Sequence, residues 1–166
     1  MIKNRIIIAV SAAVLILVLI CLLPWPTKVD LTLNAIKLDS EGEEVGSQQI
    51  IMEGQKLDYL FKDARMNLSF TPFDGFVWIK PTEVQPAGTT GNIWHALEND
   101  ILYVRYYGCD RAANIHLLIL GFSPDLDRWI LLDHTDNVCY VASVNADHTV
   151  QELKEYFKIL ISAISQ

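Results

Sequence analysis

No aspartate or glutamate occurs before Asp30, and residues 6–23 carry no charge of either sign, with Ser11 their only polar side chain. A run of that length without any polar face is poorly suited to a buried core helix. Internal repeats and low-complexity tracts are missing as well, which sets solenoids and blade-repeat architectures aside. Metal- and protease-type signatures such as His-Glu-x-x-His or paired Cys-x-x-Cys are absent, and only three cysteines and four histidines occur in 166 residues. No cofactor is expected from such a chain.

What is present divides the chain in two. The apolar fraction of 51% is concentrated at the N-terminus. From Lys28 onward, eleven Lys and Arg face all twenty carboxylates, a net charge of about −9. So acidic a body repels phosphate backbones, which argues against nucleic acid as a partner. It also argues against the body lying flat on an anionic membrane.

Residues 6–23 meet the length a helix needs to cross about 30 Å of hydrocarbon. Pro24-Trp25-Pro26 closes the run: proline cannot continue the helix, and tryptophan belongs at a membrane interface. Lys3 and Arg5 precede it, and basic flanks stay on the cytoplasmic side. The expected organisation is a cytoplasmic segment 1–5, a transmembrane signal-anchor 6–23, a juxtamembrane linker 24–28 and one extracytoplasmic domain 29–166. A cleaved signal peptide is the alternative, but the run exceeds the usual 7–15 apolar residues and no small-x-small cleavage site follows. Val18-Leu19-Ile20-Cys21 is similar to a bacterial lipoprotein box, although Ile20 stands where that pattern has a small residue. All three readings export the domain.

The remainder predicts an α+β domain: a mainly antiparallel sheet, most simply a meander, with a C-terminal amphipathic helix packed on it. Residues 29–38 and 48–52 read as strands around the turn 39–46. Residues 57–61 are ambiguous between strand and helical turn, and 67–70 and 75–80 look extended. Four β-rich runs follow at 101–107, 115–122, 129–133 and 138–144. Their short connections imply antiparallel neighbours. Thr149 and Glu152 have capping-box spacing, and Leu153, Phe157, Leu160 and Ile164 recur on one helical face. Residues 81–92 are the exception, a long connection of a kind that is often functional.

Cys21 lies in the apolar run. Outside the cytoplasm, Cys109 and Cys139 are expected to pair as a disulfide. Two separate buried thiols, or a nucleophile supported by His116 or His134, are the alternatives.

Asp133-His134-Thr135-Asp136 sets two carboxylates around an imidazole, suited to acid–base or metal chemistry and equally to an ordinary polar turn. His148 joins that cluster if both loops reach one end of the sheet. Asp125 and Asp127 are candidate calcium ligands. Ser123-Pro124-Asp125-Leu126-Asp127-Arg128-Trp129 resembles a degenerate Asp-box hairpin of some β-propellers, with Asp127 in the glycine position and one residue missing before the tryptophan. That resemblance implies a hairpin turn supported by Ser123 and Asp125, not a function. Trp94, Tyr106 and Tyr107 are candidate binding residues, since aromatics enrich interfaces, although they also fill sheet cores. Trp78 and Trp129 read as core. Asn67-Leu68-Ser69 matches a glycosylation sequon, relevant only in a eukaryotic secretory pathway.

Three functional expectations follow. The first is a membrane-anchored, non-catalytic accessory domain that binds or regulates a protein, peptide or envelope partner. The second is an anchored hydrolase or metal-dependent enzyme centred on Asp133 and His134. The third is a structural subunit of a membrane complex.

Overall fold

A computed structural model of the chain describes residues 2–72, 80–81, 91–109, 115–145 and 147–162. Helix α1 (Ile2–Leu22) comes first. Three strands follow: β1 (Trp25–Leu38), β2 (Glu44–Asp58) and β3 (Arg65–Pro72). Three two-residue strands are β4 (Lys80–Pro81), β5 (Gly91–Asn92) and β6 (Trp94–His95). The chain continues through β7 (Leu102–Cys109), β8 (Ile115–Phe122), β9 (Arg128–Asp133) and β10 (Val138–Ser143). It then enters α2 (Val150–Tyr156) and α3 (Lys158–Ile161). The layout is α+β, as expected. Residues 75–79, Trp78 and most of the 81–92 connection lie outside the described residues.

Helix α1 has 21 residues, about 31 Å at 1.5 Å per residue. Its Arg5–Leu22 stretch is long and apolar enough to span a membrane or serve as a signal sequence, and none of it is buried against the domain. The helix ends ahead of Pro24, and β1 begins at Trp25. The expected linker 24–28 is therefore mostly strand: Trp25 to Lys28 pair with Asp58 to Gln55. Periodicity missed this because prolines at 24 and 26 read as a break. Pro26 is tolerated here because nothing among the described residues pairs with β1 on its other side at that point.

Every strand pairing is antiparallel. Strands β7 to β10 form the expected meander, and β1 to β3 form a second one. The two are joined where Ile36, Lys37 and Leu38 pair with Val141, Tyr140 and Cys139. At the flanks, Gly91 and Asn92 pair with β3, while Trp94 and His95 pair with β7. The sheet thus curls until its two outer long strands share one short stretch of chain.

Side-chain alternation sets the layers. On the concave side one apolar cluster gathers Leu33, Met52, Leu68, Val104, Leu120 and Trp129 from six strands, with Ile93 between the two flanks. On the convex side Ile119, Ile130, Leu132 and Val141 meet Leu153, Phe157 and Leu160 of the C-terminal helices. Strands β8 to β10 are buried on both faces, so their sequences are near-continuous apolar runs. Strand β1 alternates, because only one of its faces is covered for most of its length. Helix α2 starts with a full capping box between Thr149 and Glu152, and Asn99 Nδ2 donates to Tyr156 O near its end at 2.9 Å.

Gly121 lets the helices approach. A Cβ there would stand 2.5 Å from Leu160 Cδ1 and 2.7 Å from Ile130 Cγ2. Gly121→Ala is expected to destabilise by about 1–3 kcal/mol through overpacking, read as a lower urea midpoint for the detergent-solubilised chain. Gly46→Ala, where nothing lies within 4 Å, is expected to stay within about 0.5 kcal/mol.

Candidate functional site

The register assigns each loop to one end of the sheet. Trp25 and Asp58 pair at the end where α1 departs, the anchor end. Loops 59–64, 96–101 and 123–127 meet there, since Lys62, Asp100 and Pro124 edge one cleft. Loop 144–149 leaves the opposite end of β10 from turn 134–137 and lies over the middle of β1, beside Thr32 and Asn34. Turns 39–43 and 134–137 lie at the far end.

This division separates the sequence candidates. Asp133 and His134 are at the far end, whereas His148 follows the opposite end of β10, so the three do not converge. Asp133 is buried, and its Oδ1 accepts from the N–H groups of Thr135 at 2.9 Å and Asp136 at 3.3 Å. The His134 N–H donates to Leu117 O, 3.0 Å away. These contacts build a tight turn, with Asn137 at a φ of 53° closing it.

His148 finds a different carboxylate. Its Nε2 lies 3.1 Å from Asp127 Oδ2, and Asp127 Oδ1 accepts from Asn145 Nδ2 at 2.8 Å. On the other side of the ring, Nδ1 lies 4.0 Å from Glu152 Oε2. The N–H of Thr149, then its hydroxyl, hold the Glu152 carboxyl below its usual range. His148 and Ser143 both line a groove of about 280 Å³ between β1, β10 and α2. An Asp–His pair beside a serine has the composition of a hydrolytic triad. The Ser143 hydroxyl is buried without a hydrogen-bond partner, however, so it is not bonded to the imidazole. The Asp127–His148 contact instead ties the β8–β9 turn to the start of α2. Sequence reasoning named both residues for separate roles and missed their pairing, which only the strand order brings about.

The Asp-box-like turn forms as its residues implied. Ser123 Oγ donates to Asp125 Oδ1, and Asp125 in turn accepts from Asp127 N. The Arg128 N–H donates to Ser123 Oγ at 3.0 Å, and Trp129 Nε1 donates to Leu126 O at 2.6 Å. The Ser123 hydroxyl lowers the Asp125 pKa. Asp125 and Asp127 thus face different partners, and among the described residues no three His, Cys, Asp or Glu gather as metal ligands.

The cysteines do not pair. Cys139 is a free, buried thiol. Cys109 lies in β7 and Cys139 in β10, three strands away across the sheet. Cys139 pairs with Leu132, Leu132 with Ile119, and Ile119 with Arg105, four residues before Cys109. At about 4.8 Å per strand the separation exceeds 14 Å, against about 7 Å at most for a bridge. The expected disulfide required strands 7 and 10 to be neighbours, but β8 and β9 stand between them. Burial pushes the Cys139 thiol up to about 12, which makes it a poor nucleophile.

Of the aromatic candidates, Trp94 is exposed and stacks obliquely on Tyr103 with ring centroids 5.7 Å apart. Tyr106 and Tyr107 occupy adjacent positions in β7, opposite Leu118 and Leu117 of β8. Trp129 is core, 2% exposed and packed on Phe122. The largest cleft described, about 410 Å³, is at the anchor end between loop 59–64 and the stretch 93–102. Lys56, Asp58, Lys62, Asp63, His95 and Asp100 edge it, with Ile93 and Leu102 among its walls. It is a concave, mixed-charge surface continuous with the end of the 81–92 connection, and no sequence motif marked it. No protein family, curated protein or solved structure matches the chain, so the site is read from its own geometry.

Burial also raises Tyr140 to about 12. In an unfolded chain these two groups ionise near about 8.5 (Cys) and 10 (Tyr). Their contribution to stability is complete below those values and is lost as pH rises toward 12, because only the unfolded state gains by ionising. Unfolding midpoints are expected to fall between about pH 9 and 11, and less steeply in Cys139→Ala. Maleimide at neutral pH is expected to modify Cys139 only after denaturant is added.

Proposed function

We propose that the chain is a membrane-anchored accessory module, held outside the cytoplasm by α1, that binds or regulates a protein, peptide or envelope partner without catalysing a reaction. The observation that carries this reading is α1 itself. Its apolar surface is wholly uncovered by the domain, and burying it in lipid is the direct way to remove so large an area from water. Lys3 and Arg5 at the start of α1, ahead of its uncharged stretch, against an acidic body after it, favour a cytoplasmic N-terminus.

A binding role is favoured over the Asp133/His134 enzyme because those residues build a turn far from His148, while the cleft at the anchor end offers a concave, mixed-charge surface of ligand size. A purely structural subunit would use α1 as its contact and leave that cleft idle.

The test is topology. A phosphatase that folds only outside the cytoplasm, fused after Gln166, is expected to be active, and the chain should sediment with membranes at full mass after carbonate washing. A fluorescent protein that matures only in the cytoplasm should stay dark at the same position. The opposite pattern, or release of a shortened soluble form, would sink the anchored reading.

A further inference from the structure

Beyond Pro24, the large apolar side chains left exposed among the described residues are Trp25, Val45, Leu60, Phe61, Trp94, Leu97 and Val144. Of these, Trp25, Leu60 and Phe61 lie at the end where α1 departs. Phe61 is 77% exposed and Leu60 is 57% exposed, side by side at the tip of the β2–β3 turn. Two adjacent, uncovered apolar residues on a turn are costly in water unless something receives them.

The chain itself says what lies next to that tip. Leu22 ends α1 and Trp25 opens β1, so three Cα steps, at most about 11 Å, separate the helix end from the sheet. Trp25 pairs with Asp58, one ladder spacing of about 5 Å away. The turn 59–64 starts at the next residue. A polar headgroup layer is about 5–8 Å thick on each side of the hydrocarbon, so Trp25 and this turn share the interfacial zone. Trp25 and Tyr59 are the aromatic types that populate it, and Phe61, like Leu60, is of the kind that buries below the headgroups.

The charge of the tip agrees. Residues 56–65 carry Lys56, Lys62 and Arg65 against Asp58 and Asp63, in a body that is otherwise strongly acidic. Lys62 sits over the Tyr59 ring at 5.8 Å, an arrangement that lets an amine meet lipid phosphate while apolar groups enter below it. The most acidic turn, with Asp39, Glu41, Glu43 and Glu44, is at the far end of β1 and β2.

We infer that the β2–β3 turn, through Leu60 and Phe61 with Trp25 beside them, is a second membrane contact that seats the domain on the bilayer surface next to its anchor. This rests on the anchored reading above. The seat uses apolar insertion rather than net charge, so it should form on zwitterionic lipid. It also fixes the rotation of the domain about α1, which a single helix followed by two connecting residues leaves free.

The test uses the full chain in phosphatidylcholine vesicles, with the photo-crosslinker p-benzoylphenylalanine at one position at a time. At position 61 the expected product is a lipid adduct at least about tenfold more abundant than at position 45, the exposed apolar site at the far end. Position 15, inside α1, reports the anchor separately. Lipid adducts at 15 but not at 61 would overturn the seat and leave the anchor standing. Absence at both would overturn both. An adduct of twice the chain's mass at 61, in place of lipid, would assign the tip to a second copy and also overturn the proposal. Each position is exposed, so misfolding is not expected; retention of the native urea midpoint checks it.

Discussion

Three residue pairs hold the domain together as one object. Where Ile36, Lys37 and Leu38 meet Val141, Tyr140 and Cys139, an N-terminal meander and a C-terminal meander become one sheet. Without that seam β1 to β3 would bury their apolar face against nothing, since their own helix is α1 and it lies off the domain. With it, the concave cluster is filled from both halves, and the convex cluster receives α2 and α3. The seam also decides the order of strands, and therefore which loops meet. Asp127 reaches His148 independently of the seam, because Arg128 and Ser143 pair at the open end of the β9–β10 hairpin.

The features legible in the sequence were those written in local chemistry. The apolar run before Pro24, the two-sided apolar strands β8 to β10 and the Thr149–Glu152 capping box each follow from residue type and spacing alone. The hairpin turn at Ser123 and Asp125 was legible for the same reason, since its hydrogen bonds join residues within six positions. What could not be read was anything fixed by strand order. The return of β1 to β10 is a contact between chain segments about a hundred residues apart, and it leaves no periodic trace. The Cys109–Cys139 bridge failed within the expected meander itself, where β8 and β9 stand between the two strands, and Asp133 and His148 are held apart at opposite ends of β10.

Short acidic and hydroxyl side chains at the turns, the site candidate Asp133 among them, serve the backbone. Asp39 accepts from the N–H groups of Glu41 and Glu43, Asp133 from those of Thr135 and Asp136, and Thr149 from that of Glu152. A strand-rich domain with tight connections must satisfy many turn N–H groups, and short oxygen-bearing side chains are the economical way to do so. Polar residues between strands are thus accounted for before chemistry is invoked. The mixed-charge cleft differs in that its side chains pair with one another: Lys56 Nζ lies 3.0 Å from Asp58 Oδ1, and His95 Nδ1 lies 3.3 Å from Asp100 Oδ1.

The two residues between α1 and β1 have a last consequence, for reach. A domain on a long tether samples a hemisphere of solution, whereas one joined by Leu23 and Pro24 extends only about 10 Å from its helix before its first strand is pinned. With α1 in a bilayer, as proposed above, its encounters would be those of two bodies diffusing in a plane, where confinement raises local concentration and makes modest contacts sufficient. Selectivity would come as much from which molecules share that plane, and at what height, as from the strength of any single contact.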